Sequence, residues 1–420
     1  MKSRTIDEIN EKIASGKANI FTAGELKDLI REGNTPNYED VDVVTCGTCG
    51  IMSGTAAVFH LDVFDPGSFK KAKSLYLNGV PAFPGPCPNE WLGSVDAIVY
   101  GTSHSKDNSS YGGGFLFSDI ISGKDIDVEV ESTDGEKFTS LITIEDIPQA
   151  QMIGTRMAFK NYTSFTNPSS KPVSSIFNAI EMEGNFKSFS FSGCGEINPL
   201  QNDPNWEAIK KGSSVLLNGS KGLVLGEGTR SSDIKPNFML AADMRHMSSK
   251  YIGGFKTPEG PEVFDTLAIP IPVLNGRIFS NIMVMNKDIS LPIADIQGRH
   301  LPLSETTYEN VWDGFDLRPT FHKDKCIDCI GCLVEKRCPT LAYTNQKDNK
   351  HLDMKKCFGC GICAYSCLGN AFEMNTGSVV VDIDGDTHDI PIACRQSDIK
   401  RAKNLSNKLK NMIEKGEFEL

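Results

Sequence analysis

Apolar residues recur along this chain with two periods, and the switch between them outlines its elements. Thr5 and Glu8 make a capping box ahead of Ile6, Ile9 and Ile13, and Gly16 ends the run. Thr22 and Glu25 repeat the device ahead of Leu26, Leu29 and Ile30, with Gly33 as the stop. These predict two short helices. The stretch VDVVT (41–45) then reads as a buried strand running directly into Cys46-Gly-Thr-Cys49 and a small-residue segment. SVDAIVYG is a second buried strand, feeding the polar, glycine-rich loop GTSHSKDNSSYGGG. Residues 126–144 alternate around Asp134-Gly135, and VLLNGSKGLVLGEGTR turns at Asn218-Gly219; both predict hairpins. TLAIPIPVLN is another buried strand. IEDIPQAQMIGTRMAFKNY reads as a helix that sets Arg156 and Lys160 four residues apart on one face.

The end of the chain shapes the domain picture. GSVVVDIDGDTHDIPIA predicts a hairpin around Asp384-Gly385. A last helix carries Ile399, Ala402, Leu405, Leu409, Met412 and Ile413, capped by Ser397 and stopped by Gly416. Its apolar stripe must be buried, and a large body offers more surface for that than a small module. Strands and helices mix without a clean βαβ repeat, so the expected class is α+β: a mixed α/β main body with, where eight cysteines crowd into residues 326–367, an inserted bacterial-type dicluster ferredoxin module. The body takes residues 1–310, the module 319–375, and a hairpin and helix over 377–420 complete the body.

That module is read from cysteines. Cys326, Cys329, Cys332 and Cys338 form one run, and Cys357, Cys360, Cys363 and Cys367 form another. In two-cluster ferredoxins the fourth cysteine of each run ligates the other cluster. On that pattern Cys326, Cys329, Cys332 and Cys367 hold one [4Fe-4S] cluster, while Cys357, Cys360, Cys363 and Cys338 hold the second. Repeated C-x2-C also reads as zinc; three cysteines in succession at this spacing, with Pro339 after Cys338, weigh against it.

Composition narrows the rest. At 420 residues, 39% apolar and 23% charged, the chain has material for a sizeable core. A net charge of −11 argues against a nucleic-acid surface, so an anionic substrate needs local arginines and lysines. No apolar run approaches the ~20 residues of a membrane span, and the polar start MKSRTIDEINEK is unlike a signal peptide. With eight of thirteen cysteines assigned to clusters, a reducing cytoplasmic setting fits better than a disulfide scaffold.

In the body, Cys46 and Cys49 suit redox, persulfide or metal chemistry if both sulfurs reach one exposed loop; otherwise they are two buried structural cysteines. Cys87 and Cys194 lie in Gly/Pro-rich loops, and with the first pair they leave room for a third metal or iron–sulfur site. Cys394 ends a strand-like run and reads as structural. Arg156, Lys160 and Arg230 are candidates for holding an anion, each with a surface ion pair as its plain alternative. The glycines at 112–114 offer amides to an anion or simply make a turn. No nucleotide fingerprint is present.

At VDVVTCGTCGIMSG, YGGGFLFSDIISGKDIDVEV, GTRMAFKNY, INPLQNDPNW, GLVLGEGT, IPIPVLN and KGEFEL the chain resembles the homocysteine biosynthesis family of methanogens, over most of 1–310 and again over 377–420. The resemblance implies reductive sulfur insertion into an aldehyde. With the inserted ferredoxin it is similar to the branch that converts sulfoacetaldehyde to coenzyme M (2-mercaptoethanesulfonate). Two departures bear on the site. The homocysteine branch carries a working cysteine where this chain has Ser53, and a second cysteine has no counterpart near 134–137. The implied enzyme thiolates a small anionic aldehyde, using sulfide or a persulfide donor and a low-potential electron donor. Cys46 and Cys49 come first for sulfur transfer, with Cys87 and Cys194 beside them, and Arg156 or Arg230 grips the sulfonate. The alternatives are homocysteine formation from aspartate semialdehyde, and an electron-transfer protein with no catalysis of its own.

Overall fold

A computed structural model describes residues 3–85, 90–346 and 349–420. Cys87 lies outside the described residues. The two N-terminal helices, Ile6–Ala14 and Ala23–Arg31, form as their capping boxes predict: Thr5 and Thr22 each accept from the third amide of their helix, and Glu8 and Glu25 return the bond. The predicted strand is longer than the apolar run that announced it. It spans Val43–Ile51 and so contains both Cys46 and Cys49.

This strand sits deep in a large mixed sheet. Ile20–Thr22 pairs parallel on one side, and Phe264 to Pro272 of the thirteen-residue strand Gly260–Pro272 pair antiparallel on the other. Beyond it come the hairpin Ser214–Leu217/Ser220–Glu227, then Phe238–Asp243, Gln149–Met157, Thr55–Asp62 and Ser94–Tyr100. A second, six-stranded sheet joins Ser164–Thr166 and Phe189–Phe191 to the late hairpin Ser378–Ile383/Asp386–Arg395.

The segment read as a helix is the strand Gln149–Met157. Its burial alternates, with Ala150, Met152 and Gly154 inward and Gln149 and Gln151 outward. β-branched Ile153 and Thr155 favour that conformation. Arg156 and Lys160 therefore do not share a helix face, and the Lys160 carbonyl accepts a bond from Gln201 Nε2 at 2.5 Å. The glycines at 112–114 serve close packing: a Cβ on Gly113 would lie 2.2 Å from the Tyr100 carbonyl oxygen.

The helix Ile399–Glu414 lies across Val43–Ile51 and Gly260–Pro272. Leu405, Leu409 and Ile413 are fully buried with Val43, Leu216 and Ala268, and each such side chain stabilises by about 1.5–3 kcal/mol. Its cap is Asp398 rather than Ser397: the Asp398 carboxylate accepts from the Arg401 amide at 3.0 Å. Gly47 lets the helix approach, since a Cβ there would meet Ser406 Oγ at 2.4 Å and the Ala402 carbonyl at 2.8 Å.

Candidate active site

Residues three apart in a strand point to opposite faces. Cys46 and Cys49 are both fully buried in one, so they form neither an exposed loop nor a facing pair. Cys46 has Lys27 and Asp203 as charged neighbours, and burial pushes its thiol up to about 12. Lys27 is itself buried and held by Asn202 Oδ1 at 3.1 Å and the Ile282 carbonyl. Burial brings its ammonium down to about 8, against the pull of Cys46 and Glu196. This face is a packed polar core.

The other sulfur that meets Cys49 comes from far along the chain. The Cys49 amide donates to Cys194 Sγ at 3.4 Å, and Cys194 Sγ donates back to the Cys49 carbonyl at 3.5 Å. Cys194 is also fully buried, with its thiol pushed up to about 11 by burial. The loop before it is fixed by three bonds. Tyr308 Oη donates to the Ser192 carbonyl at 2.7 Å, Trp312 Nε1 to the Gly193 carbonyl at 3.0 Å, and the Gly193 amide to Ser397 Oγ at 2.7 Å. Only glycine fits at 193: φ is +104°, and a Cβ would lie 2.1 Å from Tyr308 Oη.

Ser192 also borders a cavity of about 340 Å³ whose wall includes Ser53, Arg156, Tyr162, Lys235, Arg299 and Gln396. Its described lining contains three cations and no carboxylate. Arg156 stacks over Phe159 at 5.2 Å, and its Nε is buried with no partner. Burial, then the nearby charge of Arg230, holds the guanidinium below its usual value. Lys235 Nζ donates to Thr163 Oγ1 at 3.1 Å, and Arg299 lies over Phe177 at 5.1 Å. An unpaired buried guanidinium donor costs free energy until an anion satisfies it. Arg230 acts on Arg156 from outside the lining.

Two groups connect the cavity to its surroundings. Tyr162 lies in its wall, and its hydroxyl is pushed above the ordinary range by burial and then by Cys194. Ser53 bonds Glu262, whose buried carboxyl is raised. Lys235, Arg299, Tyr162 and Glu262 were not singled out in the sequence. Arg299 arrives from the loop after Ser290–Asp295, and no spacing announces it.

In the module, the fourth cysteines cross over. Cys338, Cys357, Cys360 and Cys363 line one small apolar cavity together with Val334 and Phe358. Cys338 acts electrostatically on all three of the others. Cys326, Cys332 and Cys367 act together on Tyr343. The Ala342 amide donates to Cys338 Sγ at 3.2 Å and the Ala371 amide to Cys367 Sγ at 3.3 Å. Among the described residues no three His, Cys, Asp or Glu side chains converge at single-ion distance; the four thiols surround a space instead. This donor set suits a cubane, which takes one thiolate per iron.

The group around Cys360 is the inner one. Two of its four cysteines, Cys357 and Cys360, are buried, while Cys338 and Cys363, like all of Cys326, Cys329, Cys332 and Cys367, are partly exposed. Phe358 packs edge-on against Phe255, with ring centroids 5.2 Å apart, and tilts against Phe264 at 5.1 Å. Arg401 Nη1 donates to the Cys357 carbonyl at 2.8 Å and also pairs with Asp398. Arg318 Nη2 reaches the same carboxylate at 2.7 Å. The Asp398 amide donates to the Cys49 carbonyl at 3.0 Å. A continuous hydrogen-bonded path therefore runs from Cys357 through Arg401, Asp398 and the Cys49 peptide to Cys194.

The sequence profile described as homocysteine biosynthesis enzyme, sulfur-incorporation, matches residues 18–420. An uncharacterized protein of Methanothermobacter thermautotrophicus is 54% identical over 415 residues, covering 99% of this chain and 94% of that one. The L-aspartate semialdehyde sulfurtransferase of Methanocaldococcus jannaschii is 32% identical over 332 residues, 75% of this chain and 63% of that protein. A shorter likeness, 36% over 70 residues, joins 16% of this chain to 69% of the pyruvate synthase subunit PorD of Thermotoga maritima. No solved structure matches. The profile spans the cysteine strand, the cavity and the closing helix alike, and the chain belongs to the homocysteine biosynthesis, sulfur-incorporation family.

Proposed function

We propose that this protein is a cytoplasmic enzyme that inserts reduced sulfur into a small anionic aldehyde, with sulfoacetaldehyde as substrate and coenzyme M as product. The observation that carries the reading is the cavity beside the Cys194 loop: three cations, no carboxylate in its described lining, and a buried Arg156 Nε without a partner. A sulfonate satisfies that donor by charge-assisted bonds. Aspartate semialdehyde would bring an ammonium group to a wall of cations, and Ser53 stands where the homocysteine branch has its cysteine. Homocysteine formation is therefore the second reading. The likeness to L-aspartate semialdehyde sulfurtransferases supports an enzyme over a pure electron carrier.

Arg156, Lys235 and Arg299 orient the aldehyde by its anionic end. Sulfide adds to the carbonyl carbon to give a thiohemiacetal; where the sulfur arrives as a persulfide on Cys194, two electrons from the low-potential donor and two protons first split the S–S bond, releasing sulfide and returning the Cys194 thiol. Loss of water leaves a thioaldehyde, and two electrons with two protons complete the thiol. Tyr162 stays protonated at neutral pH and is placed in the cavity wall to donate. Cys326, Cys329, Cys332 and Cys367, and Cys338, Cys357, Cys360 and Cys363, would hold two [4Fe-4S] clusters, which would supply one-electron carriers for that reduction. A low-potential donor would supply the electrons.

The test is an anaerobic assay of cluster-loaded protein with sulfoacetaldehyde, sulfide and a low-potential reductant. Coenzyme M is the expected product by mass spectrometry. Homocysteine from aspartate semialdehyde, without coenzyme M from sulfoacetaldehyde, overturns the substrate assignment. Iron analysis giving about eight irons per chain fits two clusters, and about twelve requires a third site in the body.

A further inference from the structure

A second cleft, separate from the aldehyde cavity, lies where the ferredoxin module meets the body. It encloses about 730 Å³, the size of a small-molecule site. The loop at Ser248–Lys250, the segment 353–356 leading into Cys357, and the first turn of Ile399–Glu414 line it. Seven of its lining side chains are cationic and two are acidic, in a chain whose net charge is −11.

Sorting these charges by partner isolates four lysines. Arg318 and Arg401 are committed to Asp398, and Lys124 pairs with Asp119 at 2.7 Å. The ammonium groups of Lys250, Lys355, Lys356 and Lys400 have neither hydrogen bond nor ion pair among the described residues, Lys250 lying only over the Tyr251 ring at 5.2 Å, and all four side chains are exposed. Asp353 faces them but uses its carboxylate to accept the amides of Lys355 and Lys356. Like charges gathered around one cavity repel. Serine hydroxyls at 118, 248 and 249 and the Asn404 amide add neutral donors to the same walls.

We propose that this cleft binds a compact polyanion of the oligophosphate class, and that its occupancy lowers the reduction potential of the inner cluster. The concave shape and the convergence of four lysines on one small volume fit such a ligand better than the flatter face of a protein partner. The coupling follows from position. Lys355 and Lys356 immediately precede Cys357, so their charges favour the extra electron of a reduced cluster, and a bound polyanion cancels that effect. By linkage the oxidised protein binds the anion more tightly, by roughly fivefold. This inference does not depend on which aldehyde is used.

Inorganic tripolyphosphate is the probe, titrated calorimetrically into anaerobic, cluster-loaded protein at fixed ionic strength. Binding is expected to weaken by about tenfold in K250E/K400E, whose changes lie on the body, away from the cluster ligands. The milder K250Q/K400Q weakens it less and covers any folding failure of the first. An EPR-monitored redox titration should show the inner-cluster midpoint falling with tripolyphosphate in the unaltered protein and not in either variant. Equal affinity in all three proteins, or tripolyphosphate binding no tighter than sulfate, overturns the proposal. So does a result in which the variants lose an acidic ferredoxin but keep tripolyphosphate.

Discussion

Cys46 and Cys49 have the same spacing as Cys326 and Cys329, yet the backbone sends the two pairs in opposite directions. In the body the spacing falls inside a strand, where positions three apart diverge to opposite faces. In the module, left-handed residues interrupt the chain between cysteines: Asp328 at φ +52°, Gly331 at +73°, Gly359 at +73° and Gly361 at +92°. Those turns fold the loops back so that Cys357, Cys360 and Cys363 line one space with Cys338. A cysteine spacing is therefore a statement about chemistry only once the backbone between the cysteines is known.

The strongest way to break this contrast is to remove thiolates. Cys338→Ser and Cys363→Ser should erase the same cluster signal in EPR, and Cys367→Ser the other, each lowering turnover by more than roughly 100-fold. If Cys338→Ser instead removes the signal that Cys326→Ser removes, the crossover is wrong. Within the body, Cys194→Ala should abolish sulfur transfer from a persulfide donor, while Cys46→Ala, on the Lys27 face, keeps it within about threefold. The reverse outcome in the same assay would move the sulfur site to the other side of the strand.

Next comes the anion. Arg156→Gln should raise KM for the anionic aldehyde by about 10- to 100-fold with little change in kcat, because a charge-assisted bond is worth about 1.5–3 kcal/mol. An unchanged KM would remove Arg156 from substrate binding. Gly47→Ala, which sets a methyl group against the Ala402 carbonyl, should cost about 1–3 kcal/mol in denaturant unfolding. The smallest effect concerns pH. Lys27 loses its proton near pH 8 when folded and near 10.5 when unfolded. Between those values the unfolded chain holds the extra proton, so this group's contribution to stability rises with pH. Lys27→Met should flatten that rise, and an unaltered slope would show that the buried ammonium is not its source.

Much of this architecture could be read from the residues. The capping boxes and the three hairpins with Asp-Gly or Asn-Gly turns are local signals whose physics is complete within a few positions. The misreadings share one cause. The apolar residues of Gln149–Met157 fit both the helical and the strand period over a short window, and pairing with the strands on either side makes it a strand. Cys194, Lys235 and Arg299 reach the site by tertiary folding alone. Arg156 was visible as a cation, whereas its orphaned Nε was not.

The closing helix has a consequence for biosynthesis. Leu405, Leu409 and Ile413 seal the core that Val43 opens, and Asp398 caps the helix that carries them. A ribosome delivers those residues only after every cluster cysteine has emerged. The seam between body and module thus stays open while the thiols are already available. The thiols are accessible before the helix locks down, and Cys357 and Cys360 are walled in as Arg401 docks on the Cys357 carbonyl.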